Sequence, residues 1–174
     1  MIKDFNLLAT TSRGFGRATC RELKYLLEQI GDNTAIVDKT GIAGLVVAKT
    51  SIDPFEAVKK LKEVLRDRPY EFRYLFRVIP VERVVRTDLA EIGKAVVELS
   101  GKLREGECFR ITVEKRFTSL SSHAVIDAVA KNIKRQVNLD KPDNIVLIEI
   151  VGGLTGVSVL TPNDVISVLK EKLL

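Results

Sequence analysis

Residues 109–160 read FRITVEKRFTSLSSHAVIDAVAKNIKRQVNLDKPDNIVLIEIVGGLTGVSVL and carry the most ordered pattern in the chain. The stretch CFRITVEKRF reads as a strand, with Phe109, Ile111 and Val113 on one side and Arg110, Thr112 and Glu114 on the other. Ser121 or Ser122 then caps a long helix, SSHAVIDAVAKNIKRQV. Residues 140–144 contain Pro142 and form a turn. IVLIEIV and LTGVSVL follow as a hairpin around Gly152-Gly153.

Working outward from this run, Thr87 is the expected cap of a helix through about Leu103, with Leu89, Ile92, Val96 and Leu99 on one face. Pro80 marks a boundary, because the alternation of strand and helix starts over after it. FNLLATT, TAIVDK, GLVVAKT and FRYLFRVI read as strands. A helix over about 15–30 carries Leu23, Leu26, Leu27 and Ile30 and stops at Gly31. The next helix opens with Asp53 as N-cap, Pro54 at the first helical position and Glu56 completing a capping box. That βαββαβ order over residues 5–79 is the split-βαβ pattern of a ferredoxin-like sandwich. At the other end, TPNDVISVLKEKLL reads as a closing helix capped by Thr161. The predicted class is α+β: an N-terminal ferredoxin-like domain over 1–80 and an α/β domain over 81–174 that includes the closing helix.

The chain has 174 residues, and 28 Lys+Arg against 23 Asp+Glu leave a formal charge of +5. Two cysteines, Cys20 and Cys108, make no disulfide framework, and no Cys/His spacing suggests a metal site. The N-terminus lacks the apolar core of a signal peptide. The longest apolar run is broken by Glu149 and the Gly152-Gly153 pair, too early to span a bilayer as a helix. A soluble cytoplasmic protein without membrane contact is expected.

Summed charge says little about partners; placement says more. Arg13, Arg17, Arg21 and Lys24 share one side of the first helix, away from its apolar stripe. Lys131, Lys134 and Arg135 share a polar face with Asp127 on the long helix of the second half. Between these lie Arg110, then Lys115-Arg116 at the end of a strand, then Ser121-Ser122 at a helix start whose backbone N–H groups suit a phosphate. Each stripe is also what the solvated face of an amphipathic helix looks like. Phe15 and Phe117 stand beside basic residues and suit base stacking, core or staple roles alike. His123, the only histidine, reads as a surface residue, and Arg13-Gly14-Phe15-Gly16 lacks the third glycine of a dinucleotide fingerprint.

The ordered set of the strand ending in Lys115-Arg116, the Ser-capped helix, the Asp140-Lys141-Pro142-Asp143 turn and the strand ending Gly156-Val157-Ser158-Val159 resembles a THUMP domain over about 82–165. In that family a small ferredoxin-like domain precedes the THUMP domain, which binds the acceptor end of tRNA and is usually fused to a modifying enzyme. The chain shows no pyrophosphatase loop, no adenosylmethionine-binding turn and no zinc set for deamination. It is similar in this to stand-alone THUMP proteins that present tRNA to a separate cytidine acetyltransferase for N4-acetylation. The resemblance therefore implies a tRNA-binding adaptor that is not itself an enzyme and carries no cofactor. Its RNA contacts would be Arg13, Arg17, Arg110, Lys115, Arg116, Ser121, Ser122, Lys131, Lys134 and Arg135. The rival expectation is a protein–protein adaptor or regulator on the same scaffold, using a sheet edge or apolar patch.

Overall fold

A computed structural model describes residues 1–173, which divide into two units. One comprises Met1–Val81 and the segment from Asn163 on, the other Glu82–Pro162.

The first unit runs β1 (Leu7–Thr10), α1 (Gly16–Gln29), β2 (Ile36–Lys39), β3 (Leu45–Lys49), α2 (Pro54–Asp67) and β4 (Arg77–Pro80). Its strands pair antiparallel in the order β4-β1-β3-β2. Alternate residues Leu7 and Ala9 of β1 and Val46 and Ala48 of β3 meet Leu23, Leu26 and Leu27 of α1 and Val58, Leu61 and Leu65 of α2 in one core. The start of α2 is the one its sequence dictates: the Asp53 carboxylate accepts the Phe55 and Glu56 N–H groups at 3.0 and 3.1 Å. α1 stops as Gly31 takes φ 102°, with its N–H on the Glu28 carbonyl.

Just beyond α1, Asp32 is buried and gathers four donors. They are Thr50 Oγ1 at 2.5 Å, Ser51 N–H at 2.8 Å, Thr34 N–H at 3.0 Å and Thr34 Oγ1 at 2.9 Å. This carboxylate ties the end of α1 to the end of β3. A second tie is backbone to backbone: Thr11 N–H donates to the Gly44 carbonyl at 3.0 Å. Gly44 has φ 78°, and a Cβ there would stand 2.8 Å from the Thr11 carbonyl oxygen. Gly44→Ala is expected to lower the urea midpoint, by about 1–3 kcal/mol of stability, from the clash and the left-handed backbone together.

The end of the chain departs from the expected closing helix. Pro162–Asp164 form a single 3-10 turn, Ile166–Ser167 form strand β10, and only Val168–Lys172 are helical, as α5. β10 pairs antiparallel with β4, Ile166 opposite Val78, and Ile166 and Val168 enter the first unit's core. The alternation of buried Ile166 and Val168 has the strand period of two, and the open edge of β4 supplies the ladder. The segment assigned from sequence to the second domain thus packs with the first.

The second unit runs β5 (Arg83–Arg86), α3 (Leu89–Leu99), β6 (Cys108–Glu114), α4 (Ser122–Ala130), β7 (Gln136–Val137), β8 (Asn144–Val151) and β9 (Leu154–Leu160). The sheet order is β5-β9-β8-β6-β7, with β6 parallel to both β7 and β8 and the other pairs antiparallel. α3 and α4 cover one face, where Ile92, Val96, Val125 and Val129 pack on Phe109, Val146, Ile148 and Val157. β5 goes beyond the sequence reading. It is a four-residue edge strand held by β9. The cap of α3 is Asp88, whose carboxylate accepts the Glu91 N–H at 3.0 Å, and not Thr87. Thr87 instead donates to the Gly152 carbonyl at 2.8 Å. α4 ends at Ala130, short of the expected Val137, because Gln136 and Val137 are drawn beside Cys108 and Phe109 as β7. Among the described residues no helix is long and apolar enough to cross a membrane.

Candidate nucleic-acid interface

β6, α4 and β8 form a crossover in which the end of β6 and the start of α4 meet. The loop between them holds Lys115, Arg116, Phe117 and Ser121, and Ser122 is the first residue of α4. Ser121 is the N-cap, its Oγ accepting the Ala124 N–H at 3.0 Å. Phe117 takes φ 54°, a conformation costing a non-glycine residue about 1–2 kcal/mol, and its side chain is 80% exposed. A core or staple role for Phe117 is therefore removed. Phe15 is also exposed, and its ring stacks on Tyr74 with centroids 5.4 Å apart.

Two of the ten residues expected to touch RNA lie on the first unit and eight on the second. Arg13 and Arg17 stand exposed on the first unit, Arg13 ahead of α1 and Arg17 in its first turn. On the second unit, Lys115, Arg116, Ser121 and Ser122 gather at the C-terminal end of β6. Lys131, Lys134 and Arg135 follow the far end of α4, roughly 13 Å away along the helix at about 1.5 Å per residue. Lys134 and Arg135 lie outside α4, so the shared polar face expected from a longer helix does not exist.

The arginines of the second unit are largely committed to structure. Arg116 Nη1 lies 2.7 Å from Glu149 Oε2, a carboxylate only 1% exposed. Arg135 donates to the Leu103 and Arg104 carbonyls at 3.2 Å each, fastening the loop ahead of β6. Arg110 donates to the Leu139 carbonyl at 3.0 Å. By contrast, five cations of the ten expected contacts, Arg13, Arg17, Lys115, Lys131 and Lys134, form no ion pair among the described residues. His123 has a neighbour that its helical spacing implies: Asp127 Oδ2, four residues on, lies 3.1 Å from Nε2 on the exposed face of α4.

Residues 86–160 match the THUMP domain, so the chain carries one, and the domain implies RNA binding. No curated protein matches the chain.

Among solved structures the fold is shared with PH1313 from Pyrococcus horikoshii Ot3, at 16% identity and TM-score 0.60, over 91% of this chain and 55% of that one. It is shared with TrmN from Thermus thermophilus, at 18% identity and TM-score 0.58, over 90% of this chain and 45% of that one. A 4-thiouridine synthetase in complex with RNA and bound ATP matches at 16% identity and TM-score 0.51, over 91% and 42%. The chain thus spans about half the length of the structures it matches.

These matches correct the expectation that the chain is not an enzyme. The structures sharing its fold include a putative methyltransferase complexed with SAH and a possible methylase besides the synthetase. The expectation drew on a missing catalytic module, and in proteins of this fold the matched region is only part of the chain.

Proposed function

We propose that this chain binds tRNA and presents it for modification, with cytidine N4-acetylation by a partner enzyme as the chemistry the family resemblance points to. The observation that carries the reading is the THUMP domain at residues 86–160, with an exposed cationic loop at the end of β6. The first unit is read as ferredoxin-like on its β4-β1-β3-β2 order, and the site of action as the cytoplasm.

Lys115 supplies phosphate contact at the loop, and Ser121 and Ser122 bring the N-terminal turn of α4 to a phosphate or ribose. Phe117 offers an open aromatic face to an unpaired base at the acceptor end. Lys131 and Lys134 take phosphates further along the strand, and Arg13 and Arg17 do so on the first unit. Arg110, Arg116 and Arg135 shape these surfaces first and touch RNA only with whatever donors remain.

Filter binding to tRNA across a salt series tests this. Lys115→Gln should weaken binding and flatten the dependence of log K on log salt by about 0.7–0.9. An unchanged slope in the Lys115→Gln, Lys131→Gln double variant removes the assigned surface. Nucleoside analysis of tRNA from cells lacking the protein should show loss of N4-acetylcytidine; its retention rules out the acetylation part alone.

A further inference from the structure

The first unit holds a groove of about 450 Å³ between α1 and the segment ahead of β4, lined by Arg21, Tyr25, Tyr70, Arg73 and Tyr74. Its two carboxylates are both turned to structural use. Glu22 accepts three consecutive backbone N–H groups, from Arg73, Tyr74 and Leu75, at 2.8–2.9 Å. Glu71 accepts the Tyr25 hydroxyl at 2.9 Å and pairs with Arg68 at 3.4 Å. Arg21 and Arg73 form no ion pair among the described residues. What remains open is aromatic and cationic: Tyr70 is 66% exposed, Tyr25 42%, and Tyr74 carries the stacked Phe15 at the rim.

We propose that this groove is a second nucleic-acid site, in which the tyrosine rings stack unpaired bases of an RNA strand while Arg21 and Arg73 hold its phosphates. It rests on the RNA-binding reading above but involves none of the residues assigned there. Charge selects the occupant. Glu22 is turned onto backbone N–H groups and Glu71 onto Tyr25 and Arg68, so the groups left facing a ligand are the rings and the Arg21 and Arg73 guanidinium groups, and single-stranded nucleic acid is the polyanion with flat faces to match. Duplex RNA has its bases stacked internally and offers the rings nothing.

The composition supplies the probe. The chain has no tryptophan and three tyrosines, at 25, 70 and 74, and all three line this groove. Intrinsic tyrosine emission therefore reports on this one place. The intact protein is titrated with an unstructured octanucleotide RNA and, separately, with a blunt hairpin holding the same number of nucleotides. Binding of each is followed in parallel by the anisotropy of a label on the RNA. The octanucleotide should quench tyrosine emission and the hairpin should not. Tyr70→Ala, at a position too exposed to threaten the fold, should weaken octanucleotide binding roughly tenfold and leave the hairpin unchanged. Octanucleotide binding without quenching, and with Tyr70→Ala silent, overturns the groove assignment while leaving RNA binding intact. No binding of either RNA at low salt overturns both readings and leaves the groove to a protein partner.

Discussion

Replacing Arg116 with alanine is expected to destabilise the second unit by about 3–5 kcal/mol, more than any other substitution in the cationic loop. Glu149 sits mid-sheet on β8, beside Glu114 of β6 in register, and is 1% exposed. Its Oε2 is held by Arg116 Nη1 at 2.7 Å. The backbone of Arg116 is engaged as well, its carbonyl accepting the Gly152 N–H at 2.8 Å. Removing the guanidinium would take away the positive charge 2.7 Å from a carboxylate that stays buried in the sheet, and the desolvation cost would fall on the folded state alone. Replacing both partners, in an Arg116→Met, Glu149→Gln double variant, should recover most of the loss. Urea unfolding of the single and double variants measures the difference. A cost below about 1 kcal/mol for Arg116→Ala would mean that the pair is not what holds this strand end. One practical consequence is that loss of RNA binding in an Arg116 variant reports on folding, so Lys115 is the residue that tests phosphate contact.

In the first unit, Asp32→Asn should lower stability at pH 7 by about 2–3 kcal/mol. Burial by itself would raise the pKa of this carboxyl, but the hydrogen bonds from Thr50, Ser51 and Thr34 outweigh it and hold the group well below the usual carboxylate range. An amide oxygen cannot accept all four donors, and its NH₂ faces donors where the carboxylate offered lone pairs. The pH dependence has a definite sign. The folded-state value lies below the unfolded one, so the contribution is complete above about pH 4 and fades as pH falls further. Wild type should therefore lose stability on acidification below about pH 4 more steeply than the Asn variant, and the two curves should converge. Parallel curves from pH 7 to pH 2 would exclude the carboxylate as the source.

Local signals carried far where the chemistry is local. Asp53, Pro54 and Glu56 mark the start of α2 because capping is decided within four residues, and Gly31 ends α1 by a backbone angle that glycine reaches at little cost. The Gly152-Gly153 hairpin is local too. Where a strand competed with a helix, the outcome depended on a partner far along the chain. The stretch after Ala130 has helical spacing, yet Gln136 and Val137 pair with Cys108 and Phe109. The stretch around Ile166 follows a proline start signal, yet it completes the edge of β4.

The candidate site divides in the same way. Residue type and order in the sequence determined which cations and serines lie near the end of β6, because a strand followed by a capped helix places them there without help from elsewhere. The sequence could not say which cations are free. Arg116 and Lys115 are adjacent, but only the approach of β8 makes one a partner of buried Glu149 and leaves the other exposed. Nor do three tyrosines at 25, 70 and 74 announce a groove. They meet because Glu22 and Glu71 fasten the segment ahead of β4 against α1, across about 50 residues of chain. Composition and short-range pattern thus determined the elements and the sign of the surface. Tertiary packing, which sets burial and pairing over long separations, decided which charges are spent on the fold and which remain for a ligand.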